Sequence, residues 1–180
     1  MNKQSNILKF SSFIDESTNF PKSFKEILMK APGKLVDITM SLKEVSQNPK
    51  WHPEGNTLKH VIVVFKRAIE HYPGNLDLAV AAFFHDLGKL DTFAISPKTN
   101  QPTAHGHELV SAKLVKEYRD WIKQLGANPA NVYYIVRNHM KMKPRTWDHM
   151  RDKKKSKVKA FRAFGDLEKF SGIDRGGLDI

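Results

Sequence analysis

The sequence predicts an all-α fold, a single compact helical bundle around one central buried helix. Three observations carry this. Apolar residues recur at helical spacing in one segment after another, with proline and glycine between the segments. One stretch, Leu78 to Phe84, is apolar on every side, the pattern of a helix enclosed by others. No convincing alternating strand accompanies them. A hydrophobic content of 40% is enough for a real core, and 180 residues suit one domain, or one domain with a short extension.

The elements follow in order. The first twenty residues are polar and irregular and read as a loose arm. A short helix over Phe24 to Met29 is broken by Pro32-Gly33, and a second covers Leu35 to Val45. Gln47 to Asn56 holds Pro49, Pro53 and Gly55 and reads as a loop. Asn56 or Thr57 caps the next helix, which runs to about His71 with Val61, Val64, Phe65, Ala68 and Ile69 inward. The buried helix, Leu76 to Leu87, follows Pro73-Gly74 and ends on Gly88 as a C-terminal cap. Asp91 to Ala104 is expected to be a long loop. An amphipathic helix then spans Gly106 to Leu125, and Pro129 opens another that carries His139 and is closed by Pro144. A basic segment leads to a last helix, about Lys157 to Phe170. The domain division is therefore 1–47, an arm with flanking helices, and 48–175, the principal domain.

Composition excludes several functions. Without cysteine there is neither disulfide nor thiolate ligand, so any metal is held by His, Asp or Glu. No apolar run approaches the ~18 residues that span a bilayer, and the N-terminus lacks the apolar core of a secretory signal. A cytoplasmic protein without a membrane partner is expected. The net charge of +11 favours polyanions. That charge is uneven. Lys141, Lys143, Arg145, Arg151, Lys153, Lys154, Lys155, Lys157, Lys159 and Arg162 crowd one segment, which is expected to face nucleic acid at the mouth of the site.

His85 and Asp86 end the all-apolar helix, and burying such a pair is costly unless both are partnered or bind a cation. Helical geometry adds candidates. His60 stands at the edge of its helix's apolar face. His107 shares a face with Ser111, Leu114 and Tyr118, whereas His105 lies nearly opposite. His139 falls on the stripe of Ile135 and Val136, and Asp166 borders that of Ala163, Leu167 and Phe170. Side chains on facing helices of a bundle are a known way to build a metal site.

The order His60, His85-Asp86, Asp166, with HDLGK at 85–89, resembles the HD-domain metal-dependent phosphohydrolases. WHPEGNTLKH at 51–60 and HGHE at 105–108 are similar to the HD domain of bacterial tRNA nucleotidyltransferases (CCA-adding enzymes). The resemblance covers about 48–175. No strand-borne GS…D-x-D pattern is present, so CCA addition is not expected. The resemblance implies hydrolysis of phosphate esters of nucleotides or RNA ends, and 2′,3′-cyclic phosphodiesterase and phosphatase activity in the CCA-linked branch. It implies one metal on His60, His85, Asp86 and Asp166. A second metal in some members adds two histidines, matched here by His107 and His139, with Met140 following.

Imidazole and carboxylate suit Mn, Ni, Co, Fe or Mg as divalent ions. Asp86 is the candidate to orient a water or take its proton, and Lys89 to bind the phosphate as a point charge. Arg137 and Lys141, which flank His139, are candidates to grip a second phosphate, and Glu54 to support a ligand. Two alternatives stand beside this reading: a nucleotide 5′-monophosphatase, and a nucleic-acid-binding module with a vestigial metal site.

Overall fold

The computed structural model of the protein describes residues 22–48 and 54–175. The expected arm, and Trp51, His52 and Pro53 of the WHPEGNTLKH stretch, lie outside them. The described chain is an all-α bundle. Helix α1 covers Lys22–Lys30 and α2 Gly33–Ser41, followed by a 3-10 turn at Leu42–Glu44. Both helices and the turn feed the main core, through Leu28, Leu35, Val36 and Leu42. Among the described residues no helix is long and apolar enough to cross a membrane.

Asn56 opens α3 (Thr57–His71) by accepting the Lys59 N–H at 3.0 Å, which satisfies one of the unpaired donors of the first turn. Asn75 caps α4 (Leu76–Phe84) in the same way through Leu78. Every residue of α4 from Leu78 to Phe84 is buried. Phe83 and Phe84 meet edge to face with ring centroids 5.3 Å apart, and Trp121 lies 6.0 and 6.1 Å from the two rings. This is the enclosed helix that the apolar run predicts.

After α4 the chain makes a short helix α5 (Lys89–Thr92) and a small hairpin, β1 (Ala94–Ile95) with β2 (Pro102–Thr103). The strands are antiparallel, with Ala94 opposite Thr103 and Ile95 opposite Pro102. The expected structureless loop is thus corrected, since two-residue strands are too short to show an alternating pattern. Helices α6 (His107–Glu117) and α7 (Arg119–Gln124) replace the single expected helix. Its break at Tyr118 goes with a tertiary contact: the Trp121 indole donates to the Lys30 carbonyl at 3.1 Å.

Pro129 is the first residue of α8 (Pro129–Asn138), capped by Asn128. A 3-10 turn over His139–Met142 follows, and Pro144 opens helix α9 (Pro144–Asp148) instead of closing the preceding one. The last stretch is two helices, α10 (Asp152–Lys159) and α11 (Phe164–Arg175), not one ending at Phe170. Helix α4 packs against α3, α6, α8 and α11, so its C-terminal end is where side chains from all of them converge.

Gly88 has a right-handed conformation (φ −67°, ψ −10°), so it is not a left-handed cap. Its value is space. A Cβ there would stand 2.4 Å from the His107 carbonyl oxygen and 2.7 Å from the Ser111 nitrogen. The Gly88 N–H also donates to Ser111 Oγ at 2.9 Å. Glycine lets the start of α6, with His107, lie against the end of α4.

Candidate metal centre

Four buried histidines meet at the end of α4: His60 from α3, His85 from α4, His107 from α6 and His139 just beyond α8. The ring nitrogens are distinguishable. Nδ1 of His85 lies 2.8 Å from the Ala82 carbonyl, that of His107 2.7 Å from Ala104, and that of His139 2.8 Å from Val136. A carbonyl only accepts, so each Nδ1 carries the proton and donates. In the neutral ring each Nε2 then presents a lone pair, the tautomer a metal ligand requires. His60 directs Nδ1 to Glu54 Oε1 at 3.3 Å, which orients its Nε2 towards the same region.

Asp86 is the centre of the cluster. Its Oδ2 lies 3.2 Å from His85 Nε2 and 3.7 Å from His60 Nε2, and its Oδ1 lies 3.1 Å from His107 Nε2. His107 and His139 bring their Nε2 atoms within 3.2 Å. Lys89 Nζ is 2.7 Å from Asp86 Oδ2 and 2.5 Å from Gln47 Oε1.

Asp166 is not part of this group. Its Oδ1 accepts from Asn75 Nδ2 at 2.9 Å and Lys169 Nζ at 3.2 Å. Asn75 caps the start of α4 and His85 follows its end, about 15 Å away at 1.5 Å per residue. Asp174, two turns on along α11, sits at the cluster instead, its Oδ1 3.0 Å from His60 Nε2 and 3.5 Å from His85 Nε2. The expectation for Asp166 is corrected accordingly. The last helix runs beyond Phe170, and its true inward carboxylate lies four residues past that point. Asp174 follows Leu167 and Phe170 by seven and four residues, the helical spacing that could have identified it. Gln47, buried against Lys89, was also missed, because nothing in a loop's sequence shows which polar side chain turns inward.

His105 is exposed, whereas His107 is buried. Arg137 and Lys141 are half-buried on the outer side of the element that carries His139. Lys141 donates to Asn138 Oδ1 at 2.7 Å, and burial together with Arg137 and Lys154 lowers its pKa.

The electrostatics are those of a closely coupled cluster. Burial alone would raise Asp86, but the neighbouring His85, Lys89 and His107 hold it well below the usual carboxylate range. Asp174 is held low against burial by His60 and His85. Burial opposes charge on His85, yet Asp86 and Asp174 push its pKa up to about 10. His60 is likewise raised, against burial, by Asp174, Glu54 and Asp86. Burial and the neighbouring His107 and His85 push His139 down to about 3, so it is a neutral imidazole.

These residues fit a divalent cation. Ligand bonds of ~2.1 Å at ~90–109° put neighbouring ligand atoms ~3.0–3.4 Å apart, close to the separations seen here. His85 Nε2 is fully buried and makes no hydrogen bond, and Asp86 Oδ2, equally buried, is left to the Lys89 ammonium. With Nδ1 of His107 and of His139 each donating to a carbonyl, their Nε2 atoms face each other, an arrangement that a cation between them satisfies. Two groups emerge, His60–His85–Asp86 and Asp86–His107–His139, with Asp174 beside the first. Asp86 presents Oδ2 to one and Oδ1 to the other.

The two aspartates of α11 can be separated by experiment. Losing a residue that merely supports a ligand typically costs 10–100-fold in metal affinity, so losing a ligand should cost more than ~100-fold. Asp174→Asn should weaken Mn²⁺ binding by that amount in calorimetric titration, while Asp166→Asn should leave it within about twofold. Reversal of the two results would restore Asp166 to the centre.

Comparison with known proteins places this geometry. The HD domain family matches residues 57–164. The chain is 35% identical over 104 residues to a "Multifunctional CCA protein" of Shewanella denitrificans, covering 57% of this chain and 24% of that protein. It is 45% identical over 74 residues to a protein of the same description from Herminiimonas arsenicoxydans, covering 40% of this chain and 16% of that one. The chain thus spans a quarter or less of the length of these curated relatives. No solved structure matches it.

Proposed function

Because the chain belongs to the HD domain family, a family of metal-dependent phosphohydrolases, we propose that it hydrolyses phosphate esters of nucleotides or RNA termini. One observation carries this reading: a buried aspartate whose two oxygens face two separate sets of histidine nitrogens. His60, His85, Asp86 and Asp174 would hold one divalent ion, and Asp86, His107 and His139 would offer a second position. Mn, Ni, Co, Fe and Mg all suit these donors. A bound ion supplies Lewis acidity towards a phosphoryl oxygen and activates water.

The protein's own groups do the remainder. Asp86, shared between the two ligand groups, orients the attacking water. Lys89, beside Asp86 at the edge of the cluster, places a positive charge against the substrate phosphate. Gln47 fixes the Lys89 ammonium. Arg137 and Lys141 add positive charge on the flank of His139. Residues 48–175 form the hydrolase domain, and α1 and α2 complete its core. The likeness to the CCA-linked branch supports an RNA end bearing a 2′,3′-cyclic phosphate or a monoester as the substrate.

The test is an assay of protein stripped with EDTA and reloaded with each ion. The substrates are 2′,3′-cyclic AMP, 2′-AMP, 3′-AMP, 5′-AMP and bis-p-nitrophenyl phosphate. Metal-dependent turnover of the cyclic and 2′- or 3′-esters is expected. Turnover of 5′-AMP alone would make the protein a 5′-monophosphatase, and no turnover with any ion would leave a binding module. Stability gives an independent check. At 100 times its dissociation constant a bound ion adds about 2.7 kcal/mol, which for a chain of this size raises Tm by roughly 5–11 °C. An unchanged melting curve at that metal concentration would contradict the site.

A further inference from the structure

We propose that a basic cavity beside the His139 element is a backbone subsite for single-stranded RNA. The cavity has a volume of about 700 Å³ and lies between α8, the 3-10 turn after it, and α10. It rests on the reading of the substrate as an RNA end and extends that reading to the nucleotides behind the reacting phosphate.

Four cations line the cavity: Lys141, Arg151, Lys154 and Lys157. No carboxylate lines it, and none of the four is in an ion pair among the described residues. Arg151, Lys154 and Lys157 recur every three residues at the start of and along α10, so one side of that helix faces the cavity. The lysines of α10 as a whole spread around it, as on a solvated helix. Lys154 and Lys157, with Arg151 and Lys141, nevertheless share one concave surface that no carboxylate lines, with Glu108 acting on Lys141 from outside it, and such a surface is the electrostatic form of an anion site.

An aromatic pair also lines the cavity, among polar and aliphatic side chains. Tyr134 and Phe161 stack with centroids 4.3 Å apart and planes 17° from parallel. Tyr134 is buried and donates its hydroxyl to the Val158 carbonyl, which pins α10 to α8, while Phe161 stays half-exposed. Cations that follow a backbone, next to an aromatic face for a base, are the two components of single-strand recognition. Sequence order conceals this, because Phe161 stands near the end of the basic segment and Tyr134 before it, and the two meet only in the fold.

Position links the cavity to the metal cluster. Tyr134, Asn138 and Lys141 line the cavity, and His139, the residue after Asn138, enters the cluster from the adjoining side of the same element. A strand between the two must follow the surface of the helix, a path of at most half the circumference of a ~10 Å cylinder, ~16 Å, or roughly five nucleotides at ~3.4 Å of rise each. An RNA end at the metals can therefore lay its following phosphates in the cavity, whereas a mononucleotide cannot reach it.

The test uses EDTA-treated full-length protein and a fluorescein-labelled oligoribonucleotide of about a dozen nucleotides, followed by fluorescence anisotropy. Without metal there is no hydrolysis, so the result stands apart from the catalytic reading. The combined variant Arg151→Glu, Lys154→Glu, Lys157→Glu should weaken binding at least ~10-fold. It should also reduce the salt slope by about 2, the value for three single-strand phosphate contacts at ~0.7 each. Phe161→Leu should weaken binding with the salt slope unchanged, since stacking releases no counterions. An equal charge reversal elsewhere, Lys66→Glu, Lys113→Glu, Lys123→Glu, should cost less than about twofold. Circular dichroism checks folding, and if the triple reversal unfolds, Lys154→Gln with Lys157→Gln serves for the same comparison. Equal losses in both triple variants would overturn the proposal in favour of general charge attraction. Retained RNA binding with lost binding to phosphatidylglycerol vesicles would overturn it in favour of a membrane surface.

Discussion

Asp86→Asn will abolish phosphoester hydrolysis while leaving the fold in place. The side chains have nearly the same volume, so the packing around the end of α4 is kept. What changes is charge and coordination. Asp86 faces His85 and His60 through one oxygen and His107 through the other, so it is the one residue common to both ligand groups. An amide presents one neutral oxygen and an NH₂ that repels a cation, so the variant cannot serve both. Lewis-acid assistance contributes several kcal/mol to such reactions, and each 1.36 kcal/mol is a factor of ten. A fall in kcat/KM on the order of 10³-fold or more is therefore expected, and the metal-induced rise in Tm should disappear with it. A variant that kept a tenth of its activity would show that Asp86 is not the shared ligand.

Gly88→Ala should have the largest effect on stability of any single-methyl change near the site. The added carbon would lie 2.4 Å from the His107 carbonyl oxygen, 2.7 Å from the Ser111 nitrogen and 2.8 Å from Val110 Cβ. Two of these are backbone atoms of the first turn of α6, and no rotamer change can move them aside. Overpacking typically costs 1–3 kcal/mol, and a backbone obstacle puts this case at about 3 kcal/mol or above. For a chain of this length that is a Tm loss of roughly 6–12 °C. Because His107 opens α6, the shift also moves its ring from Asp86 and should weaken binding at the second metal position. Calorimetry and Mn²⁺ titration read the two effects. A Tm within about 2 °C of the parent would mean that α6 yields freely, and that the close approach of α4 and α6 does not position His107.

The helical class and the heart of the site were readable because the physics behind them is local. An apolar run without a polar face has to be enclosed, and a His-Asp pair at its end has to be satisfied. The inward faces of His60, His107 and His139 follow from helical spacing to their apolar neighbours. What was missed depends on tertiary contacts. Asp166 and Asp174 lie eight residues apart on one helix, and both are near apolar side chains. Choosing between them required knowing that α11 runs parallel to α4, with Asp166 beside Asn75 and Asp174 beside His85. The break at Tyr118 and the role of Gly88 likewise reflect what packs against them, and Gln47 acquires its place only through Lys89. The hairpin escaped notice because its strands are shorter than one period of the pattern that reveals strands.

The most direct measurement is a crystal structure of the protein grown with Mn²⁺, read by anomalous scattering. The account predicts a peak within ~2.0–2.3 Å of His60 Nε2, His85 Nε2, an Asp86 oxygen and Asp174 Oδ1, with any second peak bound by the other Asp86 oxygen, His107 and His139. A peak coordinated by Asp166, or none within reach of Asp86 at a saturating Mn²⁺ concentration, would contradict it.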